Sequence, residues 1–112
     1  MSYVSEPTEH SRAEIDALTG AAVVEFGTSW CGFCRGAQPA IQAELANAPV
    51  HHIKIEDGKG LVLGRSFQVK LWPTLIFLKD GREIARVVRP SSRQQIRSAL
   101  EQIIETPKQH AG

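Results

Sequence analysis

Val23-Val24-Glu25-Phe26-Gly27-Thr28-Ser29-Trp30-Cys31-Gly32-Phe33-Cys34 joins an apolar run to the only two cysteines of the 112-residue chain. Ala21 to Phe26 is almost continuously apolar and too short for a helix, the pattern of a strand covered on both faces. Glu25 is the exception within it. From Gly32 to about Asn47 the apolar positions Ala37, Ile41 and Leu45 fall four apart, which predicts a helix starting inside the cysteine pair, with Pro39 expected to kink it. A thiolate rather than a thiol attacks disulfides, and the unsatisfied N–H groups of a helix start favour the charged form at Cys31. Cys34, one turn on, is placed to attack a mixed disulfide formed on Cys31. Two cysteines at this spacing suffice for a reversible two-electron exchange.

Working outward, the composition bounds the setting. With 42% hydrophobic residues, the length predicts one domain over residues 1–112, with a core at about 11–105 and a polar tail at 106–112 expected to be disordered. A formal net charge of +1 points away from nucleic acid or an anionic membrane surface as an obligate partner. Met1 to Thr19 is polar and lacks the apolar stretch of a secretory signal or anchor. With both cysteines spaced for reactivity and none left for a structural bridge, the expected compartment is the cytoplasm.

The remaining elements follow from caps and periods. Ser11-Arg12-Ala13-Glu14 has the spacing of a capping box, predicting a short helix from about Arg12 to Leu18 that Gly20 ends. Val50, Ile53 and Ile55 mark a second strand, ended by Asp57-Gly58. Leu61, Leu63 and Phe67 mark a short helix between Gly60 and Phe67. Thr74 to Leu78 is an apolar strand, and Lys79-Asp80-Gly81-Arg82 reads as the turn of a hairpin into Glu83 to Val88. A last helix begins near Ser91 or Ser92, carries Ile96, Leu100, Ile103 and Ile104 on one face, and is expected to end at Thr106-Pro107.

Phe26-(x3)-Trp30-Cys31-Gly32-x-Cys34-Arg35, Pro39 in the following helix, Trp72-Pro73-Thr74 before a strand and Lys79-Asp80-Gly81 in a hairpin together resemble thioredoxin in order and spacing. The resemblance covers about Val23 to Ile104. It implies an α/β thioredoxin fold, a central mixed β-sheet flanked by helices on both faces, with the cysteines at a strand-to-helix junction. It implies a cis bond before Pro73, beside the cysteines, in a loop that presents backbone groups to an extended peptide and keeps metal off the thiols. The activity implied is protein-disulfide reduction, with Cys31 attacking and Cys34 resolving. Trp30, Gly32, Phe33, Trp72, Pro73 and Thr74 would shape the substrate surface, with Trp30 shielding the thiols. No cofactor is expected beyond the redox-active Cys31–Cys34 disulfide. The implied partners are protein disulfides and a thiol or disulfide reductase as electron donor, with the chain acting as a monomer. An oxidase or isomerase of the same fold, and a binding or chaperone module without turnover, remain the alternatives.

Several residues carry their own argument. A structural zinc needs four ligands, and adjacent His51 and His52 in a strand would point to opposite faces, so no metal site is expected. Glu25 takes the place of a buried aspartate that, in the thioredoxins, relays a proton at the second cysteine. Burial of its carboxyl would raise its pKa toward the range a general base needs, and His52 is expected beside it. Phe33 replaces the usual proline between the cysteines and frees a backbone N–H at the helix start. That predicts a potential less reducing than about −270 mV, toward about −200 mV. Arg89 stands where glycine is common beside the groove, a change expected to narrow it or select acidic substrates. Arg82, Arg86, Arg89, Arg93 and Arg97 otherwise read as a solvated face.

Overall fold

The computed structural model describes residues 10–58 and 61–104. Helix α1 spans Arg12–Asp16, strand β1 Ala21–Gly27, α2 Gly32–Leu45, β2 His51–Glu56, α3 Val62–Ser66, β3 Thr74–Lys79, β4 Arg82–Val88 and α4 Arg93–Glu101. One sheet forms in the order β2-β1-β3-β4. β1 runs parallel to β2, which requires the crossover that α2 supplies, while β1–β3 and β3–β4 are antiparallel. Central β1 is therefore paired along both edges, and its continuous apolar character follows.

Strand alternation divides the core in two. Val23, Leu75 and Phe77 pack against Ala37, Ile41 and Leu45 of α2 and Ile96, Ala99 and Leu100 of α4. Ala22, Val24, Phe26, Ile76 and Leu78 pack on the opposite face against Ile15 of α1 and Phe67 beyond α3. Helices thus cover both faces, as the expected fold requires. Glu25 lies in register with Lys54 on one side and Leu75 on the other. By the two-residue period it shares the α2 face with Val23.

Local chemistry sets the boundaries. The Ser11/Glu14 and Ser92/Gln95 capping boxes both form, and α2 runs through Pro39 to Leu45. Asp80 (φ 50) and Gly81 (φ 80) give the hairpin its tight turn. A Cβ on Gly81 would collide with the Asp16 carbonyl, so glycine also lets the hairpin approach α1. Two boundaries differ from the sequence reading. Helix α1 stops at Asp16 with Ala17 as its C-cap, three residues short of Gly20. Helix α4 ends at Glu101 with Gln102 as its C-cap, and Ile103 is buried in a closing turn rather than a further helical one. The expectations for the tail at 106–112 and for Thr106-Pro107 fall outside the described residues.

Candidate active site

β1 ends at Gly27, and Thr28 to Trp30 turn the chain into α2. Cys31 is the N-cap of that helix, with extended backbone (φ −84, ψ 120), and its Sγ accepts the Cys34 amide at 3.2 Å. A sulfur thus occupies the position usually taken by a serine or aspartate oxygen, where N–H donors are directed at it. Cys31 is 7% exposed and Cys34 wholly buried, and both are reduced. Cys31 thus touches the surface at its edge, and Cys34 not at all.

Burial pushes the Cys34 thiol up to about 12, with a hydrogen bond to the Cys31 side chain adding to the shift. Charge on Cys31 and on Glu25 pushes the same way by less, and a hydrogen bond from the Thr28 backbone opposes them. Cys34 is therefore a thiol at neutral pH, and its proton must be taken by something before it can attack.

Glu25 is fully buried, and both of its carboxylate oxygens are engaged. His52 Nε2 lies 2.7 Å from Oε1, the contact expected from the sequence, and Gln38 Nε2 donates to Oε2 at 2.8 Å. The same Gln38 nitrogen donates to the Cys34 carbonyl at 3.3 Å, and Gln38 Oε1 accepts from Lys54 Nζ at 3.0 Å. Polar contacts therefore run from the turn holding Cys34, through Gln38, to Glu25 and out to His52, whose side chain is 26% exposed. Gln38 and Lys54 were missed in the sequence reading. Gln38 lies four residues after Cys34 on the stripe continued by Ile41 and Leu45, and a polar residue on an apolar stripe was the available signal.

The loop before β3 closes the other side. The Trp72–Pro73 bond is cis, as expected. Cys31 Sγ contacts the Trp72 carbonyl at 3.9 Å. Packed against the cysteine pair is the Trp72 side chain. Trp30 stands edge-on to it, centroids 5.6 Å apart, and is 67% exposed. Trp72 Nε1 donates to Oδ2 of buried Asp57 at 2.8 Å, a partner the sequence did not reveal. Gly64 accommodates that carboxylate, because a Cβ there would run into it.

Gly32 and Phe33 are exposed at the start of α2 and Pro73 is buried. Thr74 differs from expectation: it is 1% exposed and its hydroxyl donates to the Leu71 carbonyl at 2.6 Å, so its side chain steadies the loop instead of lining a surface. Of the C-terminal arginines only Arg89 joins the site, its guanidinium carbon 3.9 Å over the Phe33 ring. Among the described residues, no group of three or more His, Cys, Asp or Glu side chains is placed to hold a metal, and no helix is long and apolar enough to cross a membrane.

A sulfur capping a helix start through the amide of a second cysteine, which lies wholly buried one turn on, defines a thiol–disulfide oxidoreductase. The comparisons with known proteins carry this to a family. The chain belongs to the thioredoxin family, whose model matches residues 4–102. The structure of thioredoxin 2 from Pseudomonas aeruginosa in its reduced form superposes with a TM-score of 0.79 at 52% identity, covering 92% of this chain and 94% of that one. Thioredoxin from Chlamydia pneumoniae is 37% identical over 73 residues, 62% of this chain and 70% of that protein. Thioredoxin H-type 1 from Nicotiana tabacum is 40% identical over 68 residues, 59% of this chain and 53% of the tobacco protein, so this chain spans about half of that relative. The chemistry of the family is disulfide reduction, carried by the protein's own cysteines without a cofactor.

Proposed function

We propose that the chain reduces disulfides in protein substrates, with Cys31 as nucleophile, Cys34 as resolving thiol and Glu25 as the base that serves Cys34. The observation that carries this reading is the unequal pair: Cys34 fully buried and pushed up to about 12, behind a Cys31 sulfur that accepts a backbone amide. The Cys31 thiolate attacks one sulfur of the substrate disulfide, forming a mixed disulfide and releasing the other sulfur as a thiolate. Glu25 takes the Cys34 proton, Cys34 attacks the Cys31 sulfur, and the second substrate thiolate departs. Two electrons pass to the substrate, which ends as a dithiol, and the protein ends with a Cys31–Cys34 disulfide. The side-exposed His52 contact supports a path by which that proton reaches water.

Trp30, Gly32, Phe33, the Trp72–Pro73 backbone and Arg89 form the surface offered to substrate. A thiol or a disulfide reductase returns the electrons, and a reducing cytoplasm is the compartment in which such a cycle runs toward reduction. The test is the equilibrium potential of the Cys31/Cys34 pair in a glutathione buffer, followed by Trp30 fluorescence. A value more reducing than about −230 mV fits a reductase. A value at or above about −180 mV assigns the chain to disulfide formation or isomerisation, and no reversible transition makes it a binding module.

A further inference from the structure

We propose that Arg89 reads a carboxylate beside the disulfide being attacked, so that the preferred substrates carry an acidic side chain next to the reacting cysteine. The inference rests on disulfide exchange at Cys31 and names the substrate class for it. Arg89 holds a left-handed backbone conformation, φ 50, at the end of β4, with its N–H donating to the Pro73 carbonyl at 2.9 Å. A bulky residue rarely adopts that conformation, and strain of this kind points to a functional constraint. From there the side chain crosses the redox face. Its Nε donates to the Trp72 carbonyl at 2.9 Å while its guanidinium carbon sits 3.9 Å from the centre of the Phe33 ring.

Those two contacts anchor the guanidinium and engage only Nε among its nitrogens. Among the described residues, the two Nη groups of Arg89 have no protein partner, and no carboxylate neutralises the charge. Three of the other arginines of this part of the chain differ. Arg86 pairs with Glu83, and Arg93 and Arg97 share Glu44. An anchored planar fork with N–H donors left over matches a carboxylate, which it can hold through two parallel bonds at little ordering cost. Its location fits the reaction, because the Trp72 carbonyl that anchors Nε is also the atom that the Cys31 sulfur touches. Phe33, one of the two residues between the cysteines, thereby becomes the platform for an anion-binding group.

The test uses the full chain, reduced, with two synthetic peptides of equal length, each closed by one internal disulfide and bearing either Asp or Asn beside the attacked cysteine. A third arm compares oxidised glutathione with its carboxyl-esterified form. The second-order rate constant of the wild-type protein is expected to favour the Asp peptide about 5-fold at low salt, with the preference fading in 1 M salt. In Arg89→Gly, which relieves the left-handed strain, and in Arg89→Gln the ratio falls to about one, while Arg89→Lys retains part of it. A wild-type ratio of one on both the peptide and the glutathione arms, or a ratio unchanged in Arg89→Gly and Arg89→Gln, overturns the proposal. An Arg89-dependent preference seen with glutathione but not with the peptides upholds the carboxylate and moves its source to a small thiol. If the folded wild-type protein reduces neither peptide nor oxidised glutathione, disulfide exchange itself fails and this inference falls with it.

Discussion

Replacing Glu25 with Gln keeps the size of the buried side chain and removes the carboxylate proposed above as the base for Cys34. Two effects of opposite sign follow. Loss of the negative charge eases ionisation of Cys34, but Glu25 is the smallest of the causes that push that thiol up to about 12; burial is the largest, and it survives the substitution. The Cys31 contributions vanish in both proteins once Cys31 is in a mixed disulfide. Burial, the largest cause, still holds the Cys34 thiol raised in the mixed disulfide and therefore protonated at pH 7, so resolution depends on assisted proton removal. General-base assistance is worth about 10²–10⁴-fold, which exceeds the Coulombic relief, and the mixed disulfide of Glu25→Gln should live about 100-fold longer at pH 7. Hydroxide substitutes for the missing base as pH rises, narrowing the gap by about tenfold per pH unit. Rapid acid quenching and mass spectrometry of the protein–substrate adduct measures this directly, with Glu25→Asp as a variant that should recover part of the rate. Equal adduct lifetimes at pH 7, or a gap unchanged between pH 7 and pH 9, would refute the reasoning.

Three other outcomes are expected. His52→Ala removes the partner at Glu25 Oε1 and should move the midpoint of the pH–rate profile for adduct resolution, and a superimposable profile would separate the imidazole from the proton path. Trp72→Phe leaves the buried Asp57 Oδ2 without its indole donor, a cost of about 1–3 kcal/mol, or about 4–8 °C of Tm for each kcal/mol, measured by calorimetry at neutral pH. Hydrogen bonds from Arg97 and Arg93 hold the Glu44 carboxyl below its ordinary value of 4.5. A depressed carboxylate stabilises the fold fully above the unfolded value and loses that contribution as pH falls through the folded one. The stability advantage of wild type over Glu44→Gln should therefore be greatest above about pH 5, disappear on acidification below the folded pKa of Glu44, and shrink with salt, as urea titrations at several pH values will report.

Much of this molecule was legible where the deciding forces are local. The capping boxes at Ser11 and Ser92, the Asp80-Gly81 turn and the period of α2 are written within a few residues of where they act. Glu25 stood out because a carboxylate in an apolar strand has to be explained, and strand register then brought His52 to it. Contacts that depend on the third dimension were not readable in the same way. Asp57 and Trp72 are brought together only when α3 and the loop before β3 dock, and nothing near either residue marks the other. Arg89 was marked as a departure beside the groove, but its reach across Phe33 follows from a backbone conformation that sequence does not announce. The end of α4 was overestimated because Ile103 and Ile104 continue the apolar period after the hydrogen-bonded helix has stopped.

The seating of Cys34 one turn beyond Cys31, and deeper than it, also bears on oxidative damage. A peroxide that reaches Cys31 converts it to a sulfenic acid, the last stage of the oxidation ladder from which a thiol is readily recovered. The neighbouring Cys34 thiol condenses with that sulfenic acid to give a disulfide and water, the product that ordinary turnover makes. Burial meanwhile keeps Cys34 itself away from the oxidant. The geometry that completes disulfide exchange thus also diverts an oxidised Cys31 from irreversible sulfinic acid back into the catalytic cycle.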